Sequence, residues 1–424
     1  MVSVFKCIEC GKTYSPGSRF RCDCGGLLEV VHEFEAVHRS IFNGRLGALK
    51  PPYSSGVWRF KEIVNPSLDE LYIVSRSEGN TNLYTHPRLS EYVGLGNLSL
   101  KHEGENPTGS FKDRGMTVGI SEARRLGAKT VACASTGNTS ASLAAYAAQA
   151  GLECVVFVPE GEIAYGKLAQ ALSYGAKVLQ VSGNFDDAMR IVQEASEELG
   201  LYLLNSVNPW RIEGQKTIIF EMLQQRGWRP PDWIVVPAGN LGNTSAFGKA
   251  LREAVSLGLI DDVPRIASVQ AQGANPFYRL WKGGGESLEA SKPETVASAI
   301  KIGNPVSWRK AIRVIRETGG VVEQASDQEI LDAKALVDGC GIGCEPASAA
   351  SVAGARKLVE SGVIDPGEDV VCILTGNLLK DPDISVKYHT GTIEGITPSY
   401  ANRPVKVEAE LASVAKALGR TGRN

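Results

Sequence analysis

The chain has 424 residues, enough for two domains and a large core. A hydrophobic share of 43%, a charged share of 22% and a net charge of −2 describe an ordinary globular protein with no general preference for nucleic acid or membrane. Met1 to Phe5 is too short for a secretory leader and Lys6-Cys7 interrupts it; no apolar run reaches bilayer length, so the cytoplasm is the expected compartment.

Nine cysteines fall into two groups. Cys7, Cys10, Cys22 and Cys24 lie close to the amino end as Cys-Ile-Glu-Cys-Gly and Cys-Asp-Cys-Gly-Gly. Paired thiols followed by glycine are the knuckles of a four-thiolate zinc ribbon, with the metal in a closed, structural role. Cys-x-Cys departs from the commoner Cys-x-x-Cys, and metal-free thiols or two disulfides are the alternatives. The ribbon is not notably basic and lacks interleaved aromatics, which argues against nucleic acid. Cys133, Cys154, Cys340, Cys344 and Cys372 sit mostly in apolar or small-residue surroundings, as buried thiols of a reducing compartment do. Gly44 to Pro66 reads as a connector without chemistry of its own.

The body alternates strands and helices, the pattern of a parallel sheet with helical crossovers. Leu98 to Lys101 predicts a strand and Met116 to Leu126 a helix, with Asn106-Pro107-Thr108-Gly109-Ser110-Phe111-Lys112-Asp113-Arg114-Gly115 between them. Thr130–Ala134, Cys154–Pro159 and Lys177–Val181 predict strands; Ala141–Ala150 and Gly166–Tyr174 predict helices. Gly-Ala-Lys recurs at 127–129 and 175–177 as one helix-to-strand joint. Asn205-Ser206-Val207-Asn208-Pro209-Trp210-Arg211 precedes a helix expected over Glu213–Gln225. Trp233–Pro237 and Val370–Leu374 predict further strands, Thr244–Val255 a helix, and Val405–Leu418 a terminal amphipathic helix before a frayed end at Gly419–Asn424.

Four strand exits carry polar residues. The first holds Lys112; the others read Ser135-Thr136-Gly137-Asn138-Thr139, Gly239-Asn240-Leu241-Gly242-Asn243 and Thr375-Gly376-Asn377. Open α/β sheets bind ligands beyond the carboxyl ends of their strands, so the exits suggest one cleft. A lysine at a helix start stands beside the positive end of the dipole, which favours its neutral, nucleophilic amine. The loop at 238–244 offers backbone amides to an anion and holds no cationic side chain. Gly11-Lys12-Thr13 lacks the upstream glycine of a phosphate-binding nucleotide loop, and no Gly-x-Gly-x-x-Gly follows a strand, so a dinucleotide is disfavoured.

The decapeptide around Lys112, then Ser-Thr-Gly-Asn-Thr, then Gly-Asn-x-Gly-Asn resembles the threonine synthase family, within the tryptophan-synthase-β-like, fold type II enzymes of pyridoxal 5'-phosphate. The match runs in order from Cys7 to about Tyr388. It departs at Asn82, where the family usually has proline. The resemblance implies two open, twisted α/β domains behind a zinc-ribbon-like extension. Residues 1–45 would form the ribbon, 46–112 with 212–390 the large cofactor-binding domain, 113–211 the small domain and 391–424 a tail. Lys112 would hold the cofactor covalently and move protons. Gly239, Asn240, Leu241, Gly242 and Asn243 would hold its phosphate, Asn138 its ring hydroxyl and Thr375 its pyridine nitrogen. Ser135, Thr136 and Thr139 would take the substrate carboxylate, and Asn205, Ser206 and Arg211 a phosphate monoester. The implied reaction converts O-phospho-L-homoserine and water to L-threonine and phosphate. Asp113 and Arg114 are expected to pair locally at the helix start. Glu345 is expected to serve the dipole of the helix it begins, although its Glu-Pro-Ala-Ser motif lies near the cofactor in the family. A homodimer is the common assembly. A dehydratase of serine or threonine, a cysteate synthase acting on phosphoserine, and a non-catalytic zinc-ribbon interaction protein are the rival readings.

Overall fold

Apolar residues that run unbroken through a strand need a core on both sides of the sheet. Alternate residues achieve this: Trp233, Val235, Val370, Cys372 and Leu374 enter one buried cluster, while Ile234, Val236, Val371 and Ile373 enter another. The computed structural model describes residues 3–160, 165–183 and 185–419. Its strands are β1 (Ser3–Cys7), β2 (Thr13–Tyr14), β3 (Leu28–His32), β4 (Leu83–Tyr84), β5 (Asn97–His102), β6 (Thr130–Ala134), β7 (Glu153–Pro159), β8 (Lys177–Val181), β9 (Tyr202–Leu203), β10 (Trp233–Pro237), β11 (Arg265–Ala271), β12 (Val321–Ala325) and β13 (Asp369–Leu374).

They make three sheets. The amino-terminal one is antiparallel in the order β2-β1-β3. The largest runs β12-β11-β10-β13-β5-β4 and is parallel except for β4 at its edge. The third, β8-β7-β6-β9, is wholly parallel. The chain builds β4 and β5, crosses to the four-stranded sheet, and returns at β10 to complete the larger one.

Two helices make that crossing, Lys112–Arg125 outward and Trp210–Gln215 on return. They pack nearly backbone to backbone because glycine stands at each close approach. A Cβ at Gly214 would lie 1.7 Å from the Arg114 carbonyl oxygen, and one at Gly115 would lie 2.8 Å from that of Arg211. A Cβ at Gly119 would lie 2.4 Å from Leu204 Cδ2. Beneath this joint lies a buried charge cluster. The Arg114 guanidinium donates to Glu103 at 2.6 and 2.7 Å and to Glu221 at 2.8 Å, and Lys101 donates to Glu221 at 2.6 Å.

The repeated Gly-Ala-Lys joint is one structure used twice. Gly127 and Gly175 adopt φ of +72° and +78°, and the N–H groups of Ala128 and Ala176 return to the carbonyls of Ala123 and Ala171 at 3.0 Å. Other boundaries differ from expectation. The helices expected at 116 and 141 begin at Lys112 and Asn138. The helix expected over Glu213–Gln225 is two, Trp210–Gln215 and Thr217–Gln225, meeting at Lys216, whose buried ammonium donates to the Ile63 carbonyl at 2.9 Å. The terminal helix is only Leu411–Ala417, with Leu411 and Val414 exposed, because no core receives its apolar face among the described residues; residues 420–424 of the expected frayed end lie outside them. No helix among the described residues is long and apolar enough to cross a membrane.

The amino-terminal sheet is docked on the body through aromatic edges and ion pairs. Phe5 meets Trp210 with ring centroids 5.8 Å apart, and Phe20 meets Tyr202 at 5.5 Å. His32 Nε2 lies 3.0 Å from Glu213, on the same short helix as Arg211.

Candidate active site

The loop after β5 reaches the helix start under constraint from β13. Phe111 N–H donates to Thr375 O at 3.0 Å, and Asn377 N–H donates to Gly109 O at 2.9 Å. Gly109 sits at φ +84°, which a side chain would resist. Lys112 follows as the first residue of its helix. Its ammonium lies 4.1 Å from the Phe111 ring centroid and pairs with no carboxylate among the described residues. Burial, then the positive charge of Arg211, lowers its pKa to about 7, with Glu345 opposing. A neutral amine is expected from the helix dipole; here burial and the Arg211 charge lower the pKa.

The local pair expected between Asp113 and Arg114 does not form. Asp113 accepts from Thr108 N–H at 2.7 Å and from the hydroxyls of Thr108 and Ser142 at 2.6 and 2.5 Å, while Arg114 turns into the buried cluster. Successive helical residues point about 100° apart, which is why neighbours in sequence do not meet. Burial raises the Asp113 pKa to about 6.

The four-stranded sheet supplies the opposite wall. Asn138 opens the helix Asn138–Ala150, and Ser135, Thr136 and Thr139 stand half-buried around it. Asn205 closes both ends of its amide on the backbone of Ala134, at 2.9 and 3.0 Å, and so pins the β6 exit to the loop after β9. Ser206 is half-buried beside it. Arg211 is 2% exposed, donates to the Leu204 carbonyl at 3.2 Å, and has no carboxylate partner among the described residues. Its Nε is buried without a partner among the described residues, and burial lowers its pKa to about 10. A buried guanidinium held this way has donor capacity left for an anion.

The third wall is the glycine-rich turn. Leu241 adopts φ +64° and hands the chain to the helix Gly242–Ser256, whose first amides have no acceptor within the helix. A Cβ at Gly239 would stand 3.2 Å from Ile300 Cα, so the backbone there is closely confined. Asn240 is held from behind, its carbonyl taking the Ser307 N–H at 3.2 Å. The Asn243 side-chain oxygen is buried without a partner among the described residues. A dianion at the Gly242–Asn243 amides with a lysine nearby fits a phosphorylated aldehyde cofactor.

Sequence reasoning missed three residues. Glu345 was assigned to the dipole of the helix Pro346–Glu360, yet its carboxyl makes no cap bond there. It accepts instead from Asn138 Nδ2 at 2.9 Å and lies 3.2 Å from Thr375 Oγ1, because Gly376 leaves it room. Gln215, one turn beyond Arg211, has a buried unpartnered oxygen 3.3 Å from a Cβ built on Gly242; its spacing from Arg211 was the available signal. Lys380, past the Thr375 exit, reaches across to Gln170 of the opposite unit.

The four amino-terminal thiols converge. Their sulfurs all lie within 4.8 Å of one another, with Cys7–Cys24 at 3.6 Å and Cys10–Cys22 at 3.5 Å. A zinc ion with bonds of about 2.3 Å in a tetrahedron requires sulfurs about 3.8 Å apart, so the set fits.

The family pattern described as pyridoxal-phosphate dependent enzyme matches residues 74–376. Among solved structures, a fungal L-serine ammonia-lyase from Rhizomucor miehei superposes with a TM-score of 0.65 at 22% identity, covering 74% of this chain and 99% of that one. Maize serine racemase gives 0.64 at 20% identity, covering 79% and 96%. The chain belongs to the pyridoxal-phosphate dependent enzymes. Within them it falls in the threonine synthase family: it is 47% identical to the threonine synthase of Methanocaldococcus jannaschii over 96% of this chain and 97% of that one. It is 41% identical to the chloroplastic threonine synthase 2 of Arabidopsis thaliana over 94% and 80%.

Proposed function

We infer that the protein is a lyase that uses pyridoxal phosphate to convert O-phospho-L-homoserine and water to L-threonine and phosphate. The observation that supports this reading is a buried guanidinium in addition to the glycine-rich amide turn. Arg211 is buried with no carboxylate among the described residues, and it belongs to a different helix from the Gly242–Asn243 amides that suit the cofactor's own phosphate. Dehydratases acting on serine or threonine need no second anion site.

The cofactor supplies an electron sink for charge that develops on the substrate carbons. Lys112 would hold it and, when its amine is free, would move protons at the α and β carbons. Gly239, Asn240, Leu241, Gly242 and Asn243 hold the cofactor phosphate, Asn138 its ring hydroxyl and Thr375 its ring nitrogen. Ser135, Thr136 and Thr139 orient the substrate carboxylate. Arg211 and Ser206 bind the leaving phosphate; Asn205 contributes the donor and lone pair that Ala134 leaves free. Zinc on Cys7, Cys10, Cys22 and Cys24 is structural. The working division is a ribbon over 1–45, a large domain over 46–112 with 212–390, a small domain over 113–211 and a tail over 391–424. A cytoplasmic homodimer completes the reading.

The test is phosphate release by the purified protein. Phosphohomoserine should yield equal amounts of phosphate and threonine. Release from phosphoserine alone would favour a cysteate synthase, and ammonia from serine or threonine with no phosphate turnover a dehydratase.

A further inference from the structure

We propose that Glu345 is a positioning residue for the cofactor ring: it joins Asn138 to Thr375 across the cleft and sets the direction of the Thr375 hydrogen bond. The proposal rests on the cofactor reading above.

The geometry is a chain of side chains from one sheet to the other. Asn138 begins a helix of the four-stranded unit, Thr375 leaves β13 of the six-stranded one, and the Glu345 carboxyl bridges them at 2.9 and 3.2 Å. The bridge is 4% exposed, and its backbone N–H donates to Gly376 O at 3.0 Å. A Cβ at Gly376 would lie 2.4 Å from the Glu345 carboxyl carbon, so glycine is what admits the carboxyl. Ser348 supports the far side, its hydroxyl 3.1 Å from that of Thr375 and accepting from Gly376 N–H at 2.9 Å.

Direction follows from counting protons. A threonine hydroxyl has one proton to donate. A charged carboxylate only accepts, so with Glu345 ionised Thr375 spends its proton there and offers the ring nitrogen a lone pair. If Glu345 is protonated on the oxygen facing Thr375, it donates, and the Thr375 proton turns to the ring. The Asn138 bond, on the other oxygen, survives in both states. Lys380 faces the carboxyl and favours its charge, as the Lys112 amine does until it takes up the cofactor, and Asp113 acts on Lys380. Asp338 stands behind, accepting from Cys344 N–H at 3.0 Å. Burial outweighs the ammonium groups and raises the Glu345 pKa, which makes the protonated form accessible.

The experiment loads wild type, Glu345→Gln, Thr375→Val and Thr375→Ser with pyridoxal phosphate carrying nitrogen-15 in its ring. The ring-nitrogen resonance is followed from mildly acidic to mildly alkaline pH, with cofactor affinity measured alongside. Wild type should show a pH-dependent shift. Glu345→Gln and Thr375→Val should each lose it while still binding cofactor, and Thr375→Ser should keep it. A shift that titrates unchanged in loaded Glu345→Gln or Thr375→Val would overturn the proposal. Failure of wild type to bind the cofactor would instead overturn the underlying reading.

Discussion

Lys112 and Arg211 illustrate how the site prepares two cations for different tasks. Lys112 sits beside a positive neighbour and little water, so its pKa falls from 10.5 to about 7. The unfolded chain takes up this proton first, so the group costs stability progressively as pH falls from its ordinary value towards the folded one. The functional consequence has the same sign, because the neutral amine also gains as pH rises. Cofactor-free protein should capture pyridoxal phosphate with a rate that rises through about pH 7. Arg211→Met should move that midpoint to higher pH by removing a repelling charge, as stopped-flow absorbance would show. The same variant should lose roughly 10- to 100-fold in kcat/KM for the phosphorylated substrate, equivalent to about 1.5–3 kcal/mol for a charged hydrogen-bonded contact. Its thermal stability should hold, because the buried guanidinium has one carbonyl and no carboxylate to lose.

At the scale of elements, the site depends on how closely two helices approach. Gly115, Gly119 and Gly214 let the Lys112 helix and the Arg211 helix touch, which sets the lysine, the arginine and Gln215 around one space. Gly214→Ala would drive a methyl into the Arg114 carbonyl. It should cost about 1–3 kcal/mol or more in urea unfolding and weaken substrate binding with it. These glycines were visible in the sequence, but their partners were not: a contact between residues about a hundred apart has no local signature. The helix-ending glycines were legible, since a positive φ after an amphipathic run is a local requirement. Asp113 and Arg114 show the opposite outcome. Their adjacency suggested a pair, and the helix sent them to separate partners.

For the whole molecule, the ribbon spans both α/β units. Phe20 rests on Tyr202 of the four-stranded sheet, while the Leu28 carbonyl of β3 accepts from Lys310 of the larger unit at 2.6 Å, so the thiol cluster braces both sides of the cleft. Stripping metal with a chelator, or Cys10→Ser, should lower Tm by at least about 2–4 °C, the equivalent of roughly 1 kcal/mol. An unchanged Tm together with no zinc by elemental analysis would show that these thiols hold no metal.

Strand–helix alternation determined the α/β class with its parallel sheets, and the four polar strand exits pointed to one candidate cleft. Those features are short-range, and the polypeptide writes them as consecutive letters. Tertiary structure decided which charges are buried, which amides are spent on backbone and which carboxyl joins the two walls. Asn205 became a bracket for Ala134, and Glu345 left its own helix to meet Asn138. Both outcomes depend on desolvation and on distances between segments far apart in the chain, and neither exists until the sheets pack.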